Sequence, residues 1–179
     1  MKKVVLTYGI ISGIILGGVL AMFIPLLKDG NDYMEKGMIY GFSSMILGFS
    51  MIYFAIASFK KNNGTVSIKQ GLIIGSLITL IGCFMYACAW MVIYSNFAPD
   101  FGDKYADVMV KSINASTKLS AAEKAQQVEE ITANMTLYKN NAFYRFGMTF
   151  MEPLFVGVII SIIASLILFT RKKQTPSVA

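Results

Sequence analysis

GLIIGSLITLIGCFMYACAWMVIY, residues 71–94, runs for 24 positions without an Asp, Glu, Lys or Arg. A helix rises about 1.5 Å per residue, so a run of about 20 apolar residues crosses roughly 30 Å of hydrocarbon. This segment is therefore long enough to span a bilayer. Outward from it, three more runs of the same kind appear: Val4–Leu27, Gly37–Phe59 and Met148–Thr170. Across all four, Glu152 alone carries a formal charge. The fold class that follows is an all-α integral membrane protein, a four-transmembrane-helix up-down bundle. Short links force neighbouring helices to run antiparallel.

Composition agrees. Apolar residues make up 55% of the 179 and the mean hydropathy is +0.59, well above a soluble domain. The chain divides into a membrane part, residues 1–94 and 148–179, and one polar insert, residues 95–147.

The formal charge of +6 raises the question of nucleic acid, and the placement of that charge answers it. Lys2, Lys3, Lys60, Lys61, Lys69, Arg171, Lys172 and Lys173 crowd the helix ends of one side, with no acid among residues 1–3, 60–69 and 171–179. The other side, residues 28–36 and 95–147, spreads eight bases and nine acids over a stretch nearly three times as long. Density of Lys and Arg near span ends marks the cytoplasmic side. Both termini are then expected inside and the insert outside, with the bilayer and not nucleic acid as the partner of the positive charge. Met1-Lys2-Lys3 ahead of an apolar run resembles a signal peptide. The run exceeds the ordinary apolar core of about 7–15 residues, however, and no A-x-A site follows. It is read as an uncleaved first span.

Small residues recur every four positions within the spans: Gly9, Gly13 and Gly17; Gly37 and Gly41, then Ser44 and Gly48; Gly71 and Gly75; Gly157, Ser161 and Ser165. That spacing puts them on one helix face, where backbones can approach closely. Lipid is as apolar as leucine, so packing has to hold such helices together. The faces serve packing within one bundle or, alternatively, between copies as a homo-oligomer.

The insert reads as two amphipathic helices. Phe101, Tyr105, Val108, Met109 and Ile113 form one apolar stripe, and Ala121, Ala125, Val128, Ile131, Met135 and Tyr138 form a second. The second helix opens on Ser120-Ala121-Ala122-Glu123, a capping box in which Ser and Glu each satisfy a free amide of the first turn. A hairpin in which the stripes meet is the economical arrangement. The alternative is that Val108, Met109, Ile113, Val128, Ile131 and Met135 receive the outer leaflet or another protein. Trp90, Tyr94 and Phe97 end the third run, and Phe143, Tyr144 and Phe146 precede the fourth, at the level where amphipathic rings prefer the interface.

Catalytic chemistry has little to draw on. With no His in the chain, imidazole ligands and Ser-His-Asp arrangements are excluded. Cys83 and Cys88 lie about 140° apart around one helix, which rules out a CxxC pair; they are read as small buried residues. No catalytic residue, cofactor or metal site is expected.

The layout resembles the bacterial membrane protein family known as domain of unknown function 4199. The resemblance rests on the Lys-rich start, the glycine-laddered first span and the Lys60-Lys61 turn. It extends through Leu119-Ser120-Ala121-Ala122-Glu123, Met135, Asn140-Asn141 and Phe143, to Phe150-Met151-Glu152-Pro153-Leu154 and the basic tail. It implies a bacterial inner-membrane location and no assigned activity.

Glu152 is the one functional carboxylate to weigh, since charged groups within spans are functional candidates by default. Counted from Met148 it lies about one turn, roughly 6 Å, below the outer boundary. Because Pro favours the first turn of a helix, Pro153 is a candidate first residue of the fourth helix, with Glu152 just outside it as a cap. The alternative is a cation or proton site facing the bundle. The functional expectation is a small non-enzymatic accessory protein whose outer hairpin binds a membrane or envelope partner or senses envelope state. A minor transporter using Glu152 is the other reading.

Overall fold

The computed structural model describes residues 1–22, 24 and 32–169, without the side chains of residues 32–40. Residues 28–31 of the expected 28–36 link, the packing of Gly37 and the Arg171, Lys172 and Lys173 tail lie outside the described residues; the rest of that link, from Asp32 on, is already helix. Within them the chain forms six α-helices and no strand: α1 Lys2–Met22, α2 Asp32–Asn63, α3 Ile68–Phe97, α4 Phe101–Ala115, α5 Ala121–Asn140 and α6 Ala142–Leu168. Four of these, α1, α2, α3 and α6, are long and apolar enough to cross a membrane.

Three of the long helices run past the apolar stretches. The second reaches from Asp32 to Asn63, the third from Ile68 to Phe97, and the fourth begins at Ala142 instead of Met148. Local capping sets these ends. Ser67 and Gln70 form a reciprocal capping box at the start of α3, with Ser67 N donating to Gln70 Oε1 at 2.9 Å and Gln70 N to Ser67 Oγ at 3.2 Å. Asn141 Oδ1 accepts from Tyr144 N at 3.0 Å to start α6. The turn between α2 and α3 passes through Gly64 at φ 75°, a conformation that glycine adopts without steric cost.

Small residues set how the long helices meet. A Cβ built on Gly9, Gly13 or Gly17 would meet Ile81, Met85 or Ala89 respectively. The separation is the same 72 positions each time, so α1 and α3 lie parallel and in register. On the other flank of α3, Gly71 faces Ser165, Gly75 faces Ser161, and Thr79 faces Gly157. Numbers rise on α3 as they fall on α6, so this pair is antiparallel. Gly48 and Gly82 also pack closely, both against Leu16 and the latter against Phe49. Around these contacts Leu16, Met45, Phe49, Ile52, Ile56, Ile74 and Ile78 form a core with no solvent exposure. Gly41 differs from the others: among the described residues, a Cβ there would meet nothing within 4 Å.

The outer surface of these helices is apolar as well. Ile14, Ile46, Phe84, Phe155 and Ile167 are all more than half exposed. Helices apolar on both inner and outer faces are compatible with a membrane protein.

Candidate functional site at the hairpin base

Helices α4 and α5 pack on each other as a hairpin. Ser120 and Glu123 form the capping box that the sequence indicates: Ser120 N donates to Glu123 Oε2 at 2.8 Å and Glu123 N to Ser120 Oγ at 3.3 Å. The Ser120 hydroxyl, donating to Glu123 Oε2 at 2.7 Å, and then the Ser120 amide hold the Glu123 carboxyl below its ordinary value. Val108, Met109 and Ile113 on α4 and Val128, Ile131 and Met135 on α5 are half-buried, none of them fully, while Ala121 and Ala125 are exposed. Lys124 Nζ donates to Asn114 O at 2.9 Å near the tip. Near the base Lys139 Nζ lies 2.6 Å from Asp103 Oδ2, a contact that raises the Lys139 amine above its ordinary value. Both partners are about half exposed, and exposed pairs of this kind contribute little stability.

The best-ordered chemistry lies where this hairpin joins the long helices. Trp90, Ile93, Tyr94, Ala98 and Tyr138 form a buried cluster of their own, with Phe101, Met135 and Tyr144 packed against it. Trp90 and Tyr94 come from the end of α3, Phe101 from the start of α4, and Tyr138 from the end of α5. The Trp90 and Phe101 rings meet edge to face at 4.9 Å, as do those of Tyr94 and Tyr138 at 5.8 Å. The indole N–H of Trp90 donates to the Tyr138 hydroxyl, which Thr149 of α6 also contacts by a hydrogen bond. Burial raises the Tyr138 hydroxyl above its ordinary value, against the opposing pull of Thr149, Trp90 and the Arg145 charge.

Arg145, on the first turn of α6, closes the cluster. It is only 7% exposed. Its Nη1 donates to the carbonyls of Tyr138 at 2.7 Å and Lys139 at 3.1 Å. These are among the last carbonyls of α5, where a cation meets both free acceptors and the negative end of the helix dipole. The guanidinium lies 4.0 Å from the centre of the Tyr94 ring, within cation–π range. Among the described residues no carboxylate pairs with it, and its Nε is buried without a hydrogen-bond partner. Carbonyl dipoles and ring faces thus carry the charge. One side chain ties the end of α5 to α3 and α6.

Sequence reasoning passes over Arg145. A signal is there: it is one of only two arginines among 16 basic residues, and it stands between Tyr144 and Phe146.

Glu152 is placed differently from expectation. α6 is continuous through Pro153, so Glu152 caps nothing. Pro153 is fully buried in the helix interior and leaves the carbonyl one turn earlier without its usual N–H partner. Starting α6 at Ala142 sets Glu152 ten residues in, roughly 15 Å along the axis. One step beyond Thr79–Gly157 on the α3–α6 ladder, Pro153 falls level with Cys83, at the middle of residues 71–94. The Glu152 side chain is exposed and points away from the other spans. Cys83 is buried and Cys88 exposed, both free thiols, so only the first is the buried small residue expected. No group of three or more Cys, Asp and Glu side chains able to hold a metal ion occurs among the described residues.

Fold and clamp together define an all-helical protein with four helices suited to a membrane and a two-helix arm fixed to their one end. The chain belongs to the family described as Protein of unknown function (DUF4199), whose model matches residues 7–170. No curated protein and no solved structure matches it.

Proposed function

We propose that this chain is a non-enzymatic accessory protein of the bacterial inner membrane. Its four spans run up and down with both termini cytoplasmic, and its outer hairpin binds a membrane or envelope protein or reports envelope state. The observation that carries this reading is the clamp of Arg145, Trp90, Tyr94 and Tyr138. A simple link between α3 and α6 needs only a few residues. Here two helices are ordered instead, and a buried arginine fixes their base to both neighbouring spans. Such an arm passes force or position from outside to the spans. Lys60 and Lys61 in the last turn of α2 and Lys69 in the first turn of α3 stand at the end away from the arm, which supports that end as the cytoplasmic one.

A path for protons or cations through the helices is not favoured, because Glu152 faces outward. The test compares affinity-purified parent and Ile131→Asp chains in mild detergent, with co-purifying proteins identified by mass spectrometry. A partner held by the parent and lost from the variant supports the reading; identical recovery from both refutes the hairpin as the binding element. A reporter fused after Ala179 that behaves as extracytoplasmic overturns the orientation.

A further inference from the structure

On the outward face of α6, Met148, Glu152, Phe155, Ile159, Ile162 and Leu166 are spaced alternately by four and three. All six are exposed. Alternation of four and three is the seam of a two-stranded coiled coil, in which each side chain enters a gap between four residues of a facing helix. No helix of this chain covers the seam among the described residues. Glu152 makes no hydrogen bond or ion pair among the described residues, and by the α3–α6 ladder it sits near the middle of the apolar span. A charged group facing lipid at that depth is costly, so the face needs a partner that offers both a hydrogen-bond donor and an acceptor. Across the four apolar runs Glu152 is the only charged residue, so no basic side chain within them pairs with it. A carboxyl group complements its own image: in the acid form it donates once and accepts once. Two copies inserted the same way pair their seams in parallel, which sets Glu152 against Glu152 of the second copy. A single polar residue at such a seam position fixes register and the number of strands.

We propose that α6 is a self-association surface, and that two copies of this chain dimerise along it with their Glu152 carboxyl groups hydrogen-bonded across the two-fold axis. This rests on α6 spanning the membrane, so every variant is first checked for fractionation with membranes; a chain recovered as soluble refutes the membrane reading itself, separately from the seam. In a Cys88→Ala background, Ile159→Cys on the seam is expected to give disulfide-linked dimers in membranes under mild oxidation. Val158→Cys, a quarter turn away, is expected not to. Self-association is then measured by energy transfer between labelled chains in bilayers over a range of protein-to-lipid ratios. Glu152→Leu is expected to weaken it about three- to thirty-fold, the worth of an interhelical hydrogen bond in a membrane. Glu152→Gln, which keeps one donor set and one acceptor, is expected to stay close to the parent. Equal cross-linking at positions 158 and 159, a monomeric parent, or a Glu152→Leu chain that associates as tightly as the parent each overturn the proposal.

Discussion

Gly75 tests the packing of the long helices most directly. A Cβ at this position lies 2.5 Å from Ser161 Oγ, 2.6 Å from Ser161 Cβ and 3.2 Å from Ile52 Cγ2. Ser161 cannot simply turn aside, because its hydroxyl donates to Gly157 O at 2.7 Å within the same seam. Carbon atoms settle at about 3.5–4.0 Å, so even alanine drives α6 back by about 1 Å, a gap that forfeits a quarter to a half of the local dispersion attraction. Overpacking of this kind costs about 1–3 kcal/mol. Exchanging a helical glycine for alanine returns about 0.8–1.0 kcal/mol of backbone propensity. Gly75→Ala is therefore expected to be destabilised by roughly 0–2 kcal/mol, and Gly75→Leu, with three more carbons in the same space, by more than about 2 kcal/mol. Gly41→Leu is the control: among the described residues nothing lies within 4 Å of its Cβ, and substitutions away from such contacts stay within about 0.5 kcal/mol. Unfolding by SDS titrated into detergent micelles, followed through the single Trp90, reads both. Equal shifts of the midpoint for Gly41→Leu and Gly75→Leu would refute the assignment of these helix faces.

Arg145→Met removes the two hydrogen bonds to the Tyr138 and Lys139 carbonyls, bonds from a charged donor worth about 1.5–3 kcal/mol. Amide exchange over residues 101–140 should quicken while α1, α2 and α3 keep their protection; unchanged exchange would mean the clamp does not hold the hairpin. Ile131→Asp places a charge on the half-buried stripe and is expected to open α4 and α5 to fast exchange with the spans still inserted, whereas equally fast exchange in the parent would show an arm with no stable order. The Glu123 carboxyl is held below its ordinary value by Ser120, so its contribution is present above that ordinary value and is lost as pH falls through the depressed one. Protection of the first turn of α5 should decline in that acid range, and a Glu123→Gln chain should lack the decline.

The resemblance to a family, the four candidate spans and the α5 capping box are all legible in the amino-acid sequence. Each depends on residues close together along the chain: hydropathy adds up along a segment, and a cap joins positions three apart. The glycine ladders are half legible. Spacing of four identifies a face, but it does not say whether a helix lies against that face: Gly13 and Gly75 meet side chains of a neighbouring helix, and Gly41 meets none among the described residues. Arg145 escapes such reasoning because its partners, Tyr94 and the carbonyls of Tyr138 and Lys139, come from two other helices. Glu152 is misplaced by it because Pro153 reads locally as a helix start, while Asn141 caps the helix eleven residues earlier.

By itself, then, the sequence determined the all-helical character, the number of candidate spans and the two-helix insert, since all of these follow from local hydropathy and periodicity. Only the tertiary structure decided which faces are covered: α1 in register on one flank of α3, α6 on the other, an arginine locking the arm to both α3 and α6, and Glu152 left on the outside. In helices that are apolar all round, hydropathy does not distinguish a neighbouring helix from lipid. Steric fit between small and large side chains makes that choice, and fit exists only once the helices are side by side.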